Sequence, residues 1–89
     1  KAGIIQITKY FSVHLADRNI RVNCVSPGGI LDPDNPQGED FQKNYNYRTP
    51  MKRMALSEEM VGAVLYLAGD SASYTTGQNI VIDGGFTAW

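Results

Sequence analysis

Two short apolar runs, each ended by a pair of glycines, set the tightest limit on how this chain folds. "VNCVSPGGI" (Val22–Ile30) reads as a strand that stops at Pro27-Gly28-Gly29, and "NIVIDGG" (Asn79–Gly85) as a second strand stopped by Gly84 and Gly85. An unbroken run such as Asn79–Asp83 is typical of a strand covered on both faces. Each strand follows a stretch with helical periodicity. The order helix, strand, long segment, helix, strand has the logic of a parallel sheet with a right-handed crossover, in which ligand loops lie beyond the C-terminal ends of the strands. By that rule residues 27–30 face a ligand.

From Ala2 to about Arg18, Ile4, Ile7, Phe11 and Leu15 fall on one helical face, which the pattern assigns to the core. Ala2, Ile5, Val13 and Ala16 form a second apolar strip, and Gln6, Tyr10, His14 and Asp17 are left for water. Asp17-Arg18-Asn19 ends the helix, so the Val-rich residues 21–26 are read as strand, with Pro27 as its stop. In the second helix Ser57 is the expected N-cap, Glu58 and Glu59 favour the positive end of the helix dipole, and Gly69 is the expected stop. Val61, Val64, Leu65 and Ala68 mark its expected core face, while Met60, Ala63 and Leu67 make the opposite side apolar too.

The segment 31–56 carries most of the prolines, with Gly38 and several Asn and Asp, although residues 39–47 have room for a turn or two of helix. Long connections inside a compact domain are usually functional or disordered. Its "DPDNPQGED" has a superficial likeness to a calcium loop, but the prolines, the displaced Gly38, and Lys43 where a bidentate Glu belongs argue against one. No metal site is expected.

Hydrophobic residues make up 43% of the 89 and the formal net charge is -1, so nothing electrostatic favours nucleic acid or anionic lipid. Cys24 is the only cysteine, which excludes an internal disulfide, and no apolar run approaches the ~18 residues of a membrane span. A cytoplasmic protein is expected. The chain opens at Lys1 with a helical pattern already under way, and is read as part of a longer single domain. His14 lies on a polar helix side and is read as a surface residue, and Cys24 as a buried strand residue with nothing to make it reactive.

Glycines after a strand allow a ligand close to the main chain, and Pro27 sets the direction in which the chain leaves the sheet. Taken alone, these residues fit a simple strand-ending turn equally well, and their spacing is not the phosphate-cradling G-x-G-x-x-G. Four signatures in order change the weighing: Lys-Ala-Gly at Lys1, Ile-Arg-Val-Asn before Ser-Pro-Gly-Gly, Ala-Ser-Tyr-Thr-Thr-Gly-Gln, and Asp-Gly-Gly. Over nearly its whole length the chain resembles the C-terminal part of classical short-chain dehydrogenases/reductases. That resemblance implies an α/β fold, the C-terminal part of a doubly wound, Rossmann-like parallel sheet. It also implies an oxidoreductase that uses NAD or NADP and moves hydride between the nicotinamide and the hydroxyl or carbonyl carbon of a small substrate.

Position by position, the resemblance makes Lys1 the catalytic lysine, which in the family holds the nicotinamide ribose and lowers the pKa of a tyrosine four residues earlier, outside this chain. Pro27, Gly28, Gly29 and Ile30 match the loop that seats the nicotinamide, with main-chain contacts at Ile30. Asp32 departs from the family, where a cofactor-holding threonine often stands. A carboxylate there would be repelled by pyrophosphate by roughly 1 kcal/mol or more, so Asp32 is expected to point away and orient the loop. Residues 31–56 correspond to the family's substrate loop, where Tyr45, Tyr47 and Arg48 are candidates to line a polar substrate site such as one for a sugar. In the family both helices take part in subunit interfaces, which implies a homotetramer, with a dimer, or burial of the second apolar strips against the rest of the domain, as the alternatives; Trp89 either contacts a neighbour or frays. The resemblance also implies that the 89 residues alone are inactive. A non-catalytic cofactor-binding or assembly protein is the alternative, since fold does not guarantee chemistry.

Overall fold

The computed structural model describes all residues from Lys1 to Trp89. In chain order they form α1 (Ala2–Leu15), a 3-10 turn (Ala16–Arg18), β1 (Cys24–Pro27), α2 (Glu39–Arg48), α3 (Glu58–Ala68), a second 3-10 turn (Asp70–Ala72) and β2 (Asn79–Ile82). The strands pair in parallel, with Cys24 N–H donating to Gln78 O and Gly28 N–H to Ile82 O, both at 2.9 Å. Residue contacts divide the chain into two compact units, Lys1–Val25 with Ala63–Ile80, and Ser26–Gly62 with Val81–Trp89.

In the first unit α1 ends where expected. Asn19 adopts the left-handed conformation at φ 59° and returns its N–H to Ala16 O, a conformation Asn tolerates better than most residues. Within these 89 residues the expected core face of α1 is left uncovered, and a different strip is buried. Ile4, Ile7 and Phe11 are exposed at 64, 56 and 45%, whereas Thr8 and Ser12, one turn apart, are buried at 5 and 6%. Their hydroxyls are satisfied within the helix, donating to Ile4 O and Lys9 O, which makes the burial of two polar side chains cheap. The selection is steric. Gly77 packs so closely that a Cβ on it would sit 2.7 Å from Ser12 Oγ, an approach only small residues permit.

The same correction applies to α3, where Val61, Val64 and Leu65 are exposed at 51, 53 and 66% while Met60, Ala63 and Leu67 are half-buried. Val81 in β2 is also exposed, at 48%, so this strand is not covered on both sides within the chain. The strand expected over residues 21–26 is shorter, because Val22 bonds the Thr76 hydroxyl and the Gly77 N–H and not a strand partner. Arg21 donates to Thr75 O and Gly69 O, and Asn23 to Thr75 O, which fastens the turn before β2. Cys24 is half-buried, with its thiol 3.5 Å from Asn79 Oδ1.

In the second unit the substrate-loop segment is more regular than expected. α2 runs a full ten residues with Gly38 as its N-cap and Glu39 and Asp40 in its first turn. Thr49 closes it, 1% exposed, with its hydroxyl on Tyr45 O at 2.8 Å. Ile30 and Ala55 form a parallel bridge that extends the strand logic past Pro27. Around it Met54 is buried at 6%. At the start of α3 the side-chain acceptor is Glu59, not the expected Ser57 hydroxyl: Glu59 Oε1 takes the Leu56 N–H at 2.9 Å. No helix is long and apolar enough to cross a membrane.

Candidate functional site

The Pro27–Ile30 turn at the C-terminal end of β1 is the centre of the second unit's polar contacts. Gly28 N–H continues the sheet to Ile82 O, while Gly29 O accepts from Ala55 N and Leu31 N–H donates to Ala55 O, both at 2.8 Å. Gln37 Nε2 donates to Ile30 O at 3.1 Å, and Gly29 N–H donates to the Tyr45 hydroxyl. The bridge with Ala55 uses Gly29 O and Leu31 N, so the Ile30 N–H points to the opposite side and meets no acceptor in the chain. Buried main-chain donors are nearly always paired; Ile30 is half-buried, so its N–H is open to water or to a ligand.

The glycines also make room for a neighbouring side chain. A Cβ on Gly28 would lie 2.8 Å from Tyr45 Oη and 2.9 Å from Asp83 Cα, and one on Gly29 would lie 2.7 Å from Tyr45 Cζ. On this face the missing side chains admit Tyr45. The Tyr45 ring is stacked between Phe41 and Phe86, with centroids at 6.1 and 5.2 Å. Beneath it lies a cavity of about 70 Å³ bordered by Gly29, Tyr45, Arg53, Glu59 and Asp83, the size of a few waters and far below a ligand pocket.

Charge around that cavity is internally compensated. Arg53 meets Glu59 through both terminal nitrogens, at 2.7 and 2.9 Å. The hydrogen bond from Arg53 first, then that from Leu56 N–H, holds the Glu59 carboxyl at about 2, below its ordinary 4.5. Asp83 accepts from Gly85 N, Thr87 N and the Thr87 hydroxyl. Its pKa is lowered, chiefly by the Thr87 hydroxyl. The Asp-Gly-Gly signature thus works as a turn, with Gly84 and Gly85 at φ 63° and 90°.

The three substrate candidates come together. Tyr45, Tyr47 and Arg48 line one cleft with Phe41, Asn44 and Phe86, about 460 Å³ in volume, within the range of small-molecule sites. Tyr47 is 78% exposed there. Trp89 meets its own chain: its Nε1–H donates to Arg48 O at 3.2 Å, and Lys52 Nζ lies 5.6 Å from its ring and 5.4 Å from that of Tyr47. Asp32 turns back on its own loop, accepting the Asp34 N–H at 3.0 Å. Lys1 belongs to the first unit, exposed at the head of α1, where its carbonyl accepts the Ile5 N–H. No group of His, Cys, Asp and Glu side chains is arranged to hold a metal.

Gln37, Asp83 and Phe86 were not singled out by the sequence. Asp83 stood in a recognised signature and could have been found there. Nothing local marks Gln37, seven residues beyond the carbonyl it bonds.

The turn geometry, the parallel strands and the signatures agree with what known proteins show. The family described as enoyl-(acyl carrier protein) reductase matches residues 1–87. D-arabinitol 2-dehydrogenase (ribulose-forming) of Candida tropicalis is 46% identical over 94 aligned positions that take in 100% of this chain and 33% of that protein. The 3-oxoacyl-(acyl-carrier-protein) reductase FabG of Thermotoga maritima is 45% identical, over 96% of this chain and 35% of its own. A short-chain dehydrogenase from Leptospira borgpetersenii, solved with bound NAD+, superposes with a TM-score of 0.91 at 50% identity, covering 97% of this chain and 33% of that one. The chain belongs to the short-chain dehydrogenase/reductase family, and its fold is the α/β, Rossmann-like fold of that family. It spans about a third of the length of these relatives.

Proposed function

We propose that the intact protein is an NAD(P)-dependent oxidoreductase acting on a hydroxyl or carbonyl group, and that residues 27–30 form the nicotinamide side of its site. The observation that carries this is the Ile30 N–H, a main-chain donor left unpaired at the C-terminal end of a strand in a parallel sheet, which is where such sheets bind ligands. A carboxamide oxygen is the acceptor it suits. The Ile30 carbonyl is already engaged by Gln37, so the donor, more than the acceptor, is available for recognition. Among the relatives, the Leptospira protein holds NAD+.

Lys1 is proposed to hold the nicotinamide ribose and, through its positive charge, to bring a neighbouring phenol's pKa toward neutrality for proton exchange with the substrate oxygen. The cofactor, when bound, supplies or accepts the hydride. Tyr45, Tyr47 and Arg48 are proposed to line the substrate side, where their cleft offers aromatic walls and a guanidinium. We also propose a cytoplasmic homo-oligomer, a dimer or tetramer. The apolar faces of α1 and α3 that the chain leaves uncovered support the oligomer, and the unpaired thiol of Cys24 suits a reducing compartment. The 89 residues by themselves are proposed to be inactive.

The test follows reduced-cofactor absorbance with the intact protein, NADH or NADPH, and a panel of ketoses and β-ketoacyl thioesters, the substrate classes named by the relatives. Turnover that falls at least a hundredfold in Lys1→Met supports the reading. Binding of either dinucleotide without turnover of any carbonyl or alcohol would favour the non-catalytic alternative.

A further inference from the structure

We propose that Tyr45 and Gln37 are positioning residues for the nicotinamide side of the site, setting the direction of the Ile30 N–H from within the substrate-loop segment. The inference rests on the dinucleotide reading above. A Gly-Gly turn cannot fix its own peptide planes, because glycine samples both signs of φ with little penalty. Here each plane is held from outside. The unit between Gly28 and Gly29 is pinned by the Gly29 N–H on Tyr45 Oη. The next, carrying Gly29 O and the Ile30 N–H, is pinned by Ala55 N–H, and the one after it by Gln37 Nε2 on Ile30 O and by Ala55 O.

The side-chain pins come from sixteen and seven residues away in sequence, and both are themselves held. Tyr45 is stacked between Phe41 and Phe86 and seated against both glycines. The main chain at Gln37 is held through its carbonyl, which accepts from Gln42 Nε2 at 2.6 Å, while its side-chain Oε1 is buried without a partner. Loosening either pin lets the peptide planes tilt and the Ile30 N–H swing off its acceptor. The part of a dinucleotide that does not meet this turn should not register the change.

That difference is the test. Binding of NAD and NADP to the intact protein is measured by titration calorimetry beside ADP-ribose and its 2′-phosphate, which lack the nicotinamide. Tyr45→Phe keeps the stacked ring and removes only the acceptor; Gln37→Leu removes the donor to Ile30 O and serves if the first variant folds poorly, as thermal melting would show. Either change should weaken the full dinucleotide about fivefold, the worth of one net hydrogen bond, and leave the nicotinamide-free ligand within twofold. Equal losses for both ligands, or no loss for either, overturn the positioning role alone. A wild-type protein that binds neither dinucleotide overturns the dinucleotide reading and this proposal with it.

Discussion

Replacing Gly29 by Ala adds a single methyl group at the tightest point of the turn. The new Cβ would stand 2.7 Å from Tyr45 Cζ, 2.9 Å from Cε1 and 3.0 Å from Met54 Cε, against an ordinary carbon contact of about 3.5–4.0 Å. The ring must retreat by about 1 Å, yet Phe41 and Phe86 flank it and its hydroxyl holds the Gly29 N–H. Overpacking of this kind costs about 1–3 kcal/mol, and the strained or broken hydrogen bond about 1 kcal/mol more. Gly29→Ala should therefore destabilise the intact protein by about 2–4 kcal/mol in urea unfolding. Its cause can be isolated with a double-mutant cycle. In a Tyr45→Ala background the obstructing ring is gone, and the same methyl should cost under about 1 kcal/mol. A cost that is equal in both backgrounds would show that the ring is not what requires glycine here.

The Arg53–Glu59 pair makes acid sensitivity predictable in sign. The folded-state pKa of Glu59, about 2, lies below its ordinary 4.5, so the pair's contribution is fully present above 4.5 and is lost as pH falls from there toward 2. Asp83 is shifted in the same direction and adds to the acid loss. Arg53→Gln should flatten the stability profile in that window and leave its shape above pH 6 unchanged; an unaltered acid limb would count against the pair. Added salt should shrink the effect, because both side chains are 39–47% exposed. Lys52 sits at φ 58°, where a non-glycine residue is strained by about 1–2 kcal/mol. Its Nζ donates to Tyr47 O at 2.7 Å. Lys52→Gly should thus be more stable than Lys52→Ala by about 1 kcal/mol, and the reverse order in thermal melts would refute the strain.

The existence of α1, α3, β1 and β2 was legible because periodicity, capping residues and paired glycines agree along the sequence. What periodicity could not reveal was which of two apolar faces this chain itself covers. In α1 the choice fell on Thr8 and Ser12, whose small, self-satisfied hydroxyls allow Gly77 to approach. Residue size and a distant turn decided it, and neither belongs to the helix pattern. α2 was only partly legible because "EDFQKNYNYR" has no apolar stripe to extend the reading beyond a turn or two. The turn at Pro27–Ile30 was marked by its residues. Its fixing by Tyr45 and Gln37 was not, since those contacts depend on how residues 31–56 fold back.

The Ile30 main chain is the centre of the proposed nicotinamide site. Amide nitrogen NMR of the intact protein with Ile30 labelled, titrated with NAD(H) or NADP(H) and separately with ADP-ribose, reports whether that donor meets a nicotinamide. A large Ile30 shift is expected with one of the full dinucleotides and almost none with the nicotinamide-free ligand. Tight dinucleotide binding with the Ile30 resonance unmoved would contradict it.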